Sequence, residues 1–290
     1  MALQLKPLHP LFGAEASGVD LERPLDDATA SAIESAIIDN GVVVFRRARP
    51  LSDEQHIAFG GWFGPLQQMK MLTMLGNQTR RVAYAELVDV GNLDEHGRIL
   101  PDDDRRRLFN RGNQLWHTDV SFDANRATFS FLAAHAVPPA GADTEFADMR
   151  AAYDALPAAT KRRIDGLSAQ HSIWYSRALA GFAEVSEAEQ ATRPPAVHPL
   201  VHARRGSTRR SLYIASHARR VVGWPDAEGR ALLDELTAHA TQPAFVYRHK
   251  WALGDLVIWD NLATMHRGTP FDDTVHPRDM RRVTCLERAA

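Results

Sequence analysis

The chain has 290 residues, 44% of them hydrophobic, enough for one large domain, 1–290, with a substantial core. A formal charge of −2 gives no field that would gather nucleic acid or an anionic membrane surface. Cys285 is the sole cysteine, which rules out an intrachain disulfide and suits a reducing cytoplasm, and no apolar run approaches the length of a membrane span.

In chain order, residues 3–20 read as a short strand and turn. Pro24 to Asn40 reads as a helix, with Ile33, Ala36, Ile37 and Ile38 as its apolar stripe and Gly41 as its stop. Val42 to Phe45 is a continuous apolar run, the pattern of a buried strand. Ser52-Asp53-Glu54-Gln55 has the capping-box pattern and opens a helix through Phe63, ended by Gly64-Pro65. From Gln67 to Arg111 the chain is polar and turn-rich, with two short strands around Val82 to Val90. A long polar segment of this kind suits either an active-site lid or an ordinary surface excursion.

Thr128 to Val137 reads as a strand stopped by Pro138-Pro139. A helical stretch from Met149 to Leu167 is broken near Pro157, with Asp148 as its cap. Residues 171–198 read as an irregular connection. Strands follow at 198–202 and 211–215, then a helix from Trp224 to His239 that buries Leu232, Leu233 and Leu236. Residues 245–251, 255–259 and 281–286 close the chain as strands. The arginine pairs at 204–205, 209–210 and 219–220 lack interleaved aromatics, so they do not form a base-stacking surface. Many short strands with a few outer helices predict a mainly β fold with a jelly-roll core.

Asn113-Gln114-Leu115-Trp116-His117-Thr118-Asp119 carries a histidine and an aspartate two apart. On a strand both side chains would point to one face and could give two ligands of a metal site. His266, in Trp259-Asp260-Asn261-Leu262-Ala263-Thr264-Met265-His266, is the best candidate for the third. Two histidines and a carboxylate on one face of an iron leave positions open for substrates. Arg278 and Arg282, four apart downstream, offer the bidentate geometry that carboxylates need.

With these blocks and Gly141-Ala142-Asp143-Thr144-Glu145-Phe146-Ala147-Asp148, the chain resembles the iron(II)- and 2-oxoglutarate-dependent dioxygenases of the taurine/2,4-D type, from His9 to the final strand. Within them it is most similar to the aryloxyalkanoate group. The resemblance implies a double-stranded β-helix with Fe(II) held by His117, Asp119 and His266. It implies O2 and 2-oxoglutarate as cosubstrates, with Thr144 and Arg278 on the far carboxylate of 2-oxoglutarate. The segment between His266 and Arg278 is one residue longer than in similar chains, so Arg281 competes with Arg278. The preferred reading puts Arg281 on a solvent-facing strand position.

The resemblance also implies that Arg282 pairs with the anionic end of a small-molecule substrate. His217 and Ile173 would line the substrate pocket, and Lys70 and Asn113 would add polar contacts. For His217, Ile173 and Lys70 a purely structural role has at least equal standing; Asn113, four residues before His117, is expected to make its contact from the same strand. The implied reaction cleaves an aryloxyalkanoate to a phenol and glyoxylate. An alkyl sulfonate of the taurine type or a natural aromatic acid is the alternative substrate. A cupin-like binding protein and a zinc hydrolase are the competing classes, and no water activator near these blocks favours the latter. A homo-oligomer is a base-rate expectation.

Overall fold

The structure is a computed structural model that describes residues 2–68, 81–182, 185–204 and 209–288. Among these residues the strands are β1 (Gln4–Pro7), β2 (Ala14–Ser17), β3 (Val42–Phe45), β4 (Val88–Asp89), β5 (Ala127–Ala136), β6 (Thr144–Asp148), β7 (Ser168–His171) and β8 (Ala196–Pro199). They continue with β9 (Val201–Ala203), β10 (Arg210–Leu212), β11 (Ala218–Val221), β12 (Val246–His249), β13 (Leu256–Asp260), β14 (Thr264–Gly268) and β15 (Asp279–Leu286). The helices are α1 (Asp27–Asn40), α2 (Asp53–Gly61), α3 (Arg105–Asn110), α4 (Met149–Asp154), α5 (Ala158–Ile164), α6 (Ile173–Leu179), α7 (Glu187–Ala191) and α8 (Asp226–Ala240).

A seven-stranded sheet runs β1-β2-β3-β13-β5-β15-β4, antiparallel except for β2 beside β3. A smaller antiparallel sheet, β12-β6-β14, faces it. Both faces of the large sheet are covered, so its middle strands read as unbroken apolar runs. Alternation then sorts each side chain to one of two cores. Val42, Val44, Leu132, Val257, Trp259 and Met280 point between the sheets and meet Phe146 and Trp251. Val43, Phe45, Phe131, Ile258 and Val283 point the other way, onto α1 and α2. This is the jelly-roll core expected from the sequence.

Local signals hold where sequence chemistry is strong. Asp26 caps α1 through Thr29 N–H, and Gly41 ends it at φ 72°. Ser52 and Gln55 form the reciprocal capping box of α2, which stops at Gly61, two residues short of the expected Phe63. Asp148 accepts the backbone N–H groups of Arg150 and Ala151, and α4 and α5 flank Pro157.

Three expectations are corrected. Residues 171–198 are not an irregular connection but carry α6 and α7, each opened by a serine cap, Ser172 and Ser186. The weak stretch before Asn113 contains only one short strand, β4, but adds α3 and a 3-10 turn, Arg111–Gln114, among the described residues. Arg81 ties it to Asp89 and Asp279, and Arg107 ties it to Asp102 and Asp273. The third concerns the histidine–aspartate motif itself.

Candidate metal centre and its cleft

His117 and Asp119 do not lie on a strand. His117 makes one isolated antiparallel bridge to His266 of β14, and the chain turns at once through Asp119 to Ser121. Val120 takes φ 58°, a left-handed value that a β-branched residue rarely adopts. That turn ends the pairing and swings Asp119 toward the large sheet, so strand alternation is not what gathers the two side chains.

The bridge is a hydrogen-bonded pair: His117 N–H donates to His266 O at 2.9 Å, and His266 N–H donates to His117 O at 2.7 Å. Directly opposed residues put their side chains on the same face, and the two imidazole centroids are 4.2 Å apart. Asp119 Oδ1 is 4.0 Å from His117 Nε2, and its Oδ2 is 3.8 Å from His266 Nε2. One ligand atom from each of the three residues lies within 4.8 Å of the others. All three side chains are buried.

Neighbours fix each ligand. His117 Nδ1–H donates to Leu115 O at 2.8 Å, which leaves the Nε2 lone pair free for a metal. Trp259 and Phe146 pack on the His266 ring. Asp119 Oδ2 accepts from Ser130 Oγ at 2.7 Å, and Oδ1 accepts from Arg282 Nη1. Asn261 accepts the Asp119 and Trp259 N–H groups on Oδ1 and donates through Nδ2 to Ser130 Oγ.

Burial drives the His117 pKa down to about 4 against the pull of Asp119, and burial beside His117 sends His266 well below the ordinary histidine value. Burial would raise Asp119, but Arg282 and the two histidines outweigh it, and the carboxylate stays below its usual range. The set is therefore two neutral imidazoles and one carboxylate, the protonation state that a divalent cation requires. The residues fit a 2-His-1-carboxylate iron site with an open face.

The cleft above the site is lined by Asn92, Asn113, Thr144, Trp259, Arg278 and Arg282, among others. Thr144 Oγ1 accepts from Trp251 Nε1 at 3.0 Å. The Arg278 backbone N–H donates to Asn92 Oδ1 at 2.8 Å, and its guanidinium donates to Val90 O at 2.6 Å. Burial alone lowers its pKa to about 10, so it is still a cation at neutral pH. Among the described residues it forms no ion pair, whereas Arg281 is occupied by Asp53 and Asp279 and does not line the cleft. Of Arg278 and Arg281, only Arg278 lines the cleft.

The other expected pocket residues divide. Asn113 lines the cleft, but from the 3-10 turn and not from a strand shared with His117. His217 and Ile173 are buried and, contrary to expectation, do not line this cleft. The His217 ring packs edge-on to His117, 5.9 Å between centroids, and its Nδ1 is 3.0 Å from Ser121 Oγ. Ile173 belongs to a small apolar cluster with Phe109, Trp174 and Phe182. Lys70 lies outside the described residues, as does part of the segment weighed as a lid.

Sequence reasoning missed Ser130, Asn261 and Arg177. Asn261 stood inside a quoted motif, and only its contacts give it a role. Arg177 sits on α6, whose Ser172 cap was readable.

Two histidines and one carboxylate gathered in a jelly roll match the donor set of mononuclear iron oxygenases. The chain belongs to the taurine catabolism dioxygenase TauD, TfdA family, whose family model matches residues 4–284. It is 45% identical over 289 residues to the alpha-ketoglutarate-dependent 2,4-dichlorophenoxyacetate dioxygenase of Cupriavidus pinatubonensis, covering 100% of this chain and 99% of the relative. It is 35% identical over 281 residues to the (S)-phenoxypropionate/alpha-ketoglutarate-dioxygenase of Sphingobium herbicidovorans, covering 94% and 91%. Among solved structures, AAD-2 in complex with Mn(II) and N-oxalylglycine superposes with a TM-score of 0.95 at 43% identity, covering 99% of each chain. The protein is accordingly an oxidoreductase of the 2-oxoglutarate-dependent dioxygenase class. No helix among the described residues is long and apolar enough to cross a membrane.

Proposed function

We propose that this enzyme uses Fe(II), 2-oxoglutarate and O2 to hydroxylate the carbon beside the anionic end of an aryloxyalkanoate. The observation that carries the reading is the buried His117–Asp119–His266 cluster, with Arg278, which has no acid partner among the described residues, lining the same cleft. The similarity to 2,4-dichlorophenoxyacetate and phenoxypropionate dioxygenases supports the substrate class.

His117, Asp119 and His266 would hold the metal. When bound, iron and 2-oxoglutarate supply the oxidising chemistry: one oxygen atom of O2 goes to succinate as CO2 leaves, and the other enters the substrate C–H bond. Arg278 would grip the far carboxylate of 2-oxoglutarate, with the Thr144 hydroxyl beside it. Arg282, at the metal side of the cleft, would share its charge between Asp119 and the substrate's acid. Fixing that acid decides which carbon faces the metal, which is catalysis by positioning. Hydroxylation beside an aryl ether oxygen gives a hemiacetal, which breaks its C–O bond to release a phenol and glyoxylate.

The test is anaerobic addition of Fe(II) and 2-oxoglutarate to the metal-free protein, followed at visible wavelengths. A charge-transfer band that shifts on adding 2,4-dichlorophenoxyacetate, followed by equal phenol and succinate on admitting air, is the expected result. A band that ignores every aryloxy acid would overturn the substrate class, and no band would overturn the metal site.

A further inference from the structure

Among the described residues, buried or half-buried guanidinium groups divide into those with an acid partner and those without, Arg278 and Arg177 being of the second kind. Arg81 has two aspartates, Arg107 has Asp102 and Asp273, and Arg150 has Asp148 and the last carbonyls of α1. Arg278 lines the cleft and donates to Val90 O, whereas Arg177 of α6 lies behind the cleft with less to bond to. It is 6% exposed, makes no ion pair among the described residues, and its buried Nε and Nη1 have no hydrogen-bond partner. Among the described residues its one hydrogen bond is Nη2 donating to Asn113 Oδ1 at 3.2 Å. A buried guanidinium left this way is costly, because five N–H donors have lost water.

The surroundings say where its charge is directed. The guanidinium lies 4.4 Å from the Phe109 ring centroid. On another side it presses on the backbone of the Arg111–Gln114 turn, where a Cβ on Gly112 would fall 1.8 Å from Nη1. Arg111, Asn113 and Gln114 of that turn line the cleft. Arg177 also acts electrostatically on His117 and His217, and it feels both Asp119 and Arg282. Burial, with Arg282 adding to it, lowers its pKa to about 9, so the charge persists at neutral pH.

With Oδ1 of Asn113 held by Arg177, the free half of that amide is its NH2. An amide oxygen bound to a cation makes the opposite N–H a stronger donor. Arg282 already has Asp119 as its counter-charge. We infer that Arg177 and Asn113 form a second recognition element for the substrate's anionic group: Asn113 Nδ2 donates to the acid, and Arg177 orients and polarises it from behind. This rests on the function proposed above and adds a positioning residue, Arg177, to it. Gly112 is part of the device, since only a residue without a side chain lets the guanidinium lie against the turn.

The test compares the parent enzyme with Arg177→Met, Arg177→Lys and Asn113→Leu. The substrates are 2,4-dichlorophenoxyacetate and its uncharged primary amide, with binding read from the shift of the anaerobic Fe(II)·2-oxoglutarate band. Loss of a hydrogen bond to a charged group predicts a KM for the acid raised roughly 10- to 100-fold in Arg177→Met and Asn113→Leu. The KM for 2-oxoglutarate and the band without substrate should be unchanged. The amide should lose far less, and Arg177→Lys should recover part of the loss. A purely structural Arg177 would weaken acid and amide alike, and that result overturns the inference. So does an unchanged KM for the acid in Asn113→Leu, a variant that leaves Arg177 itself in place. If the parent itself turns over no aryloxy acid, the proposed function fails, and with it this inference.

Discussion

Acid should destabilise this protein through histidines that the fold keeps neutral. His56 and His171 are completely buried and outside the metal cluster. His56 Nε2–H donates to Phe131 O at 3.1 Å, and its buried Nδ1 has no partner to receive a second proton's donation. Burial lowers its pKa to about 3; burial, with His198 and Arg126, lowers His171 to about 3. Both folded values lie below the unfolded value near 6.5, so the stability they contribute is present above pH 6.5 and lost as pH falls toward 3. Between pH 7 and 5.5 each costs roughly 1.3 kcal/mol, about 2.5 kcal/mol together. With a urea slope of about 3 kcal/mol per molar, the unfolding midpoint should drop by about 0.8 M over that interval from these two residues. His56→Gln keeps a donor for the Phe131 carbonyl and does not titrate. Its midpoint should drop by about 0.4 M less than the parent's between the two pH values. An identical drop in parent and variant would falsify the argument.

Three further outcomes follow from the metal centre and its cleft. Asn261→Ala removes the acceptor for Asp119 N–H and the donor to Ser130, so calorimetry should show Mn(II) affinity lowered roughly 10- to 100-fold in a folded protein; undiminished affinity would contradict the orienting role. His117→Ala or Asp119→Ala should bind no stoichiometric iron by metal analysis and show no turnover, and residual full-strength activity would remove them from the ligand set. Arg278→Ala should raise the KM for 2-oxoglutarate roughly 10- to 100-fold with the KM for the aryloxy acid unchanged. The opposite split would exchange the roles of Arg278 and Arg282.

The legible part of this site was its chemistry, not its local geometry. His117, Asp119 and His266 were recognisable as a ligand set, and the structure brings them together. The strand meant to align the first two is absent, because Val120 adopts a backbone angle that no propensity assigns to valine. β14 was unreadable for a related reason: five residues, Thr264 to Gly268, carry no alternation once both faces are covered. α1 and α2 were legible from their side-chain caps, and α8 from its buried leucine stripe. α6 spans only two turns, too short for periodicity to declare itself. Arg177 could not be singled out from the chain, because what distinguishes it is the company of its guanidinium, Phe109, Gly112 and Asn113, and that is assigned only by tertiary contact.

Arg278 and Arg282 stand on one continuous run of backbone, at and just inside the start of β15, with Met280 between them in the core shared by the two sheets. Four residues of extended chain span at most roughly 13 Å, and the register irregularity between Asp279 and Met280 sets the spacing within that limit. The Asn92 side chain holds the Arg278 N–H, and Gly91 packs so closely that a Cβ would stand 2.4 Å from Arg278 O. One end of the cleft is therefore a ruler graduated in peptide units. If Arg278 takes the far carboxylate of 2-oxoglutarate, discrimination against a keto acid one carbon longer or shorter is built into main-chain spacing. Exchanging side chains around the cleft would retune the prime substrate while leaving the length of the cosubstrate where the strand has set it.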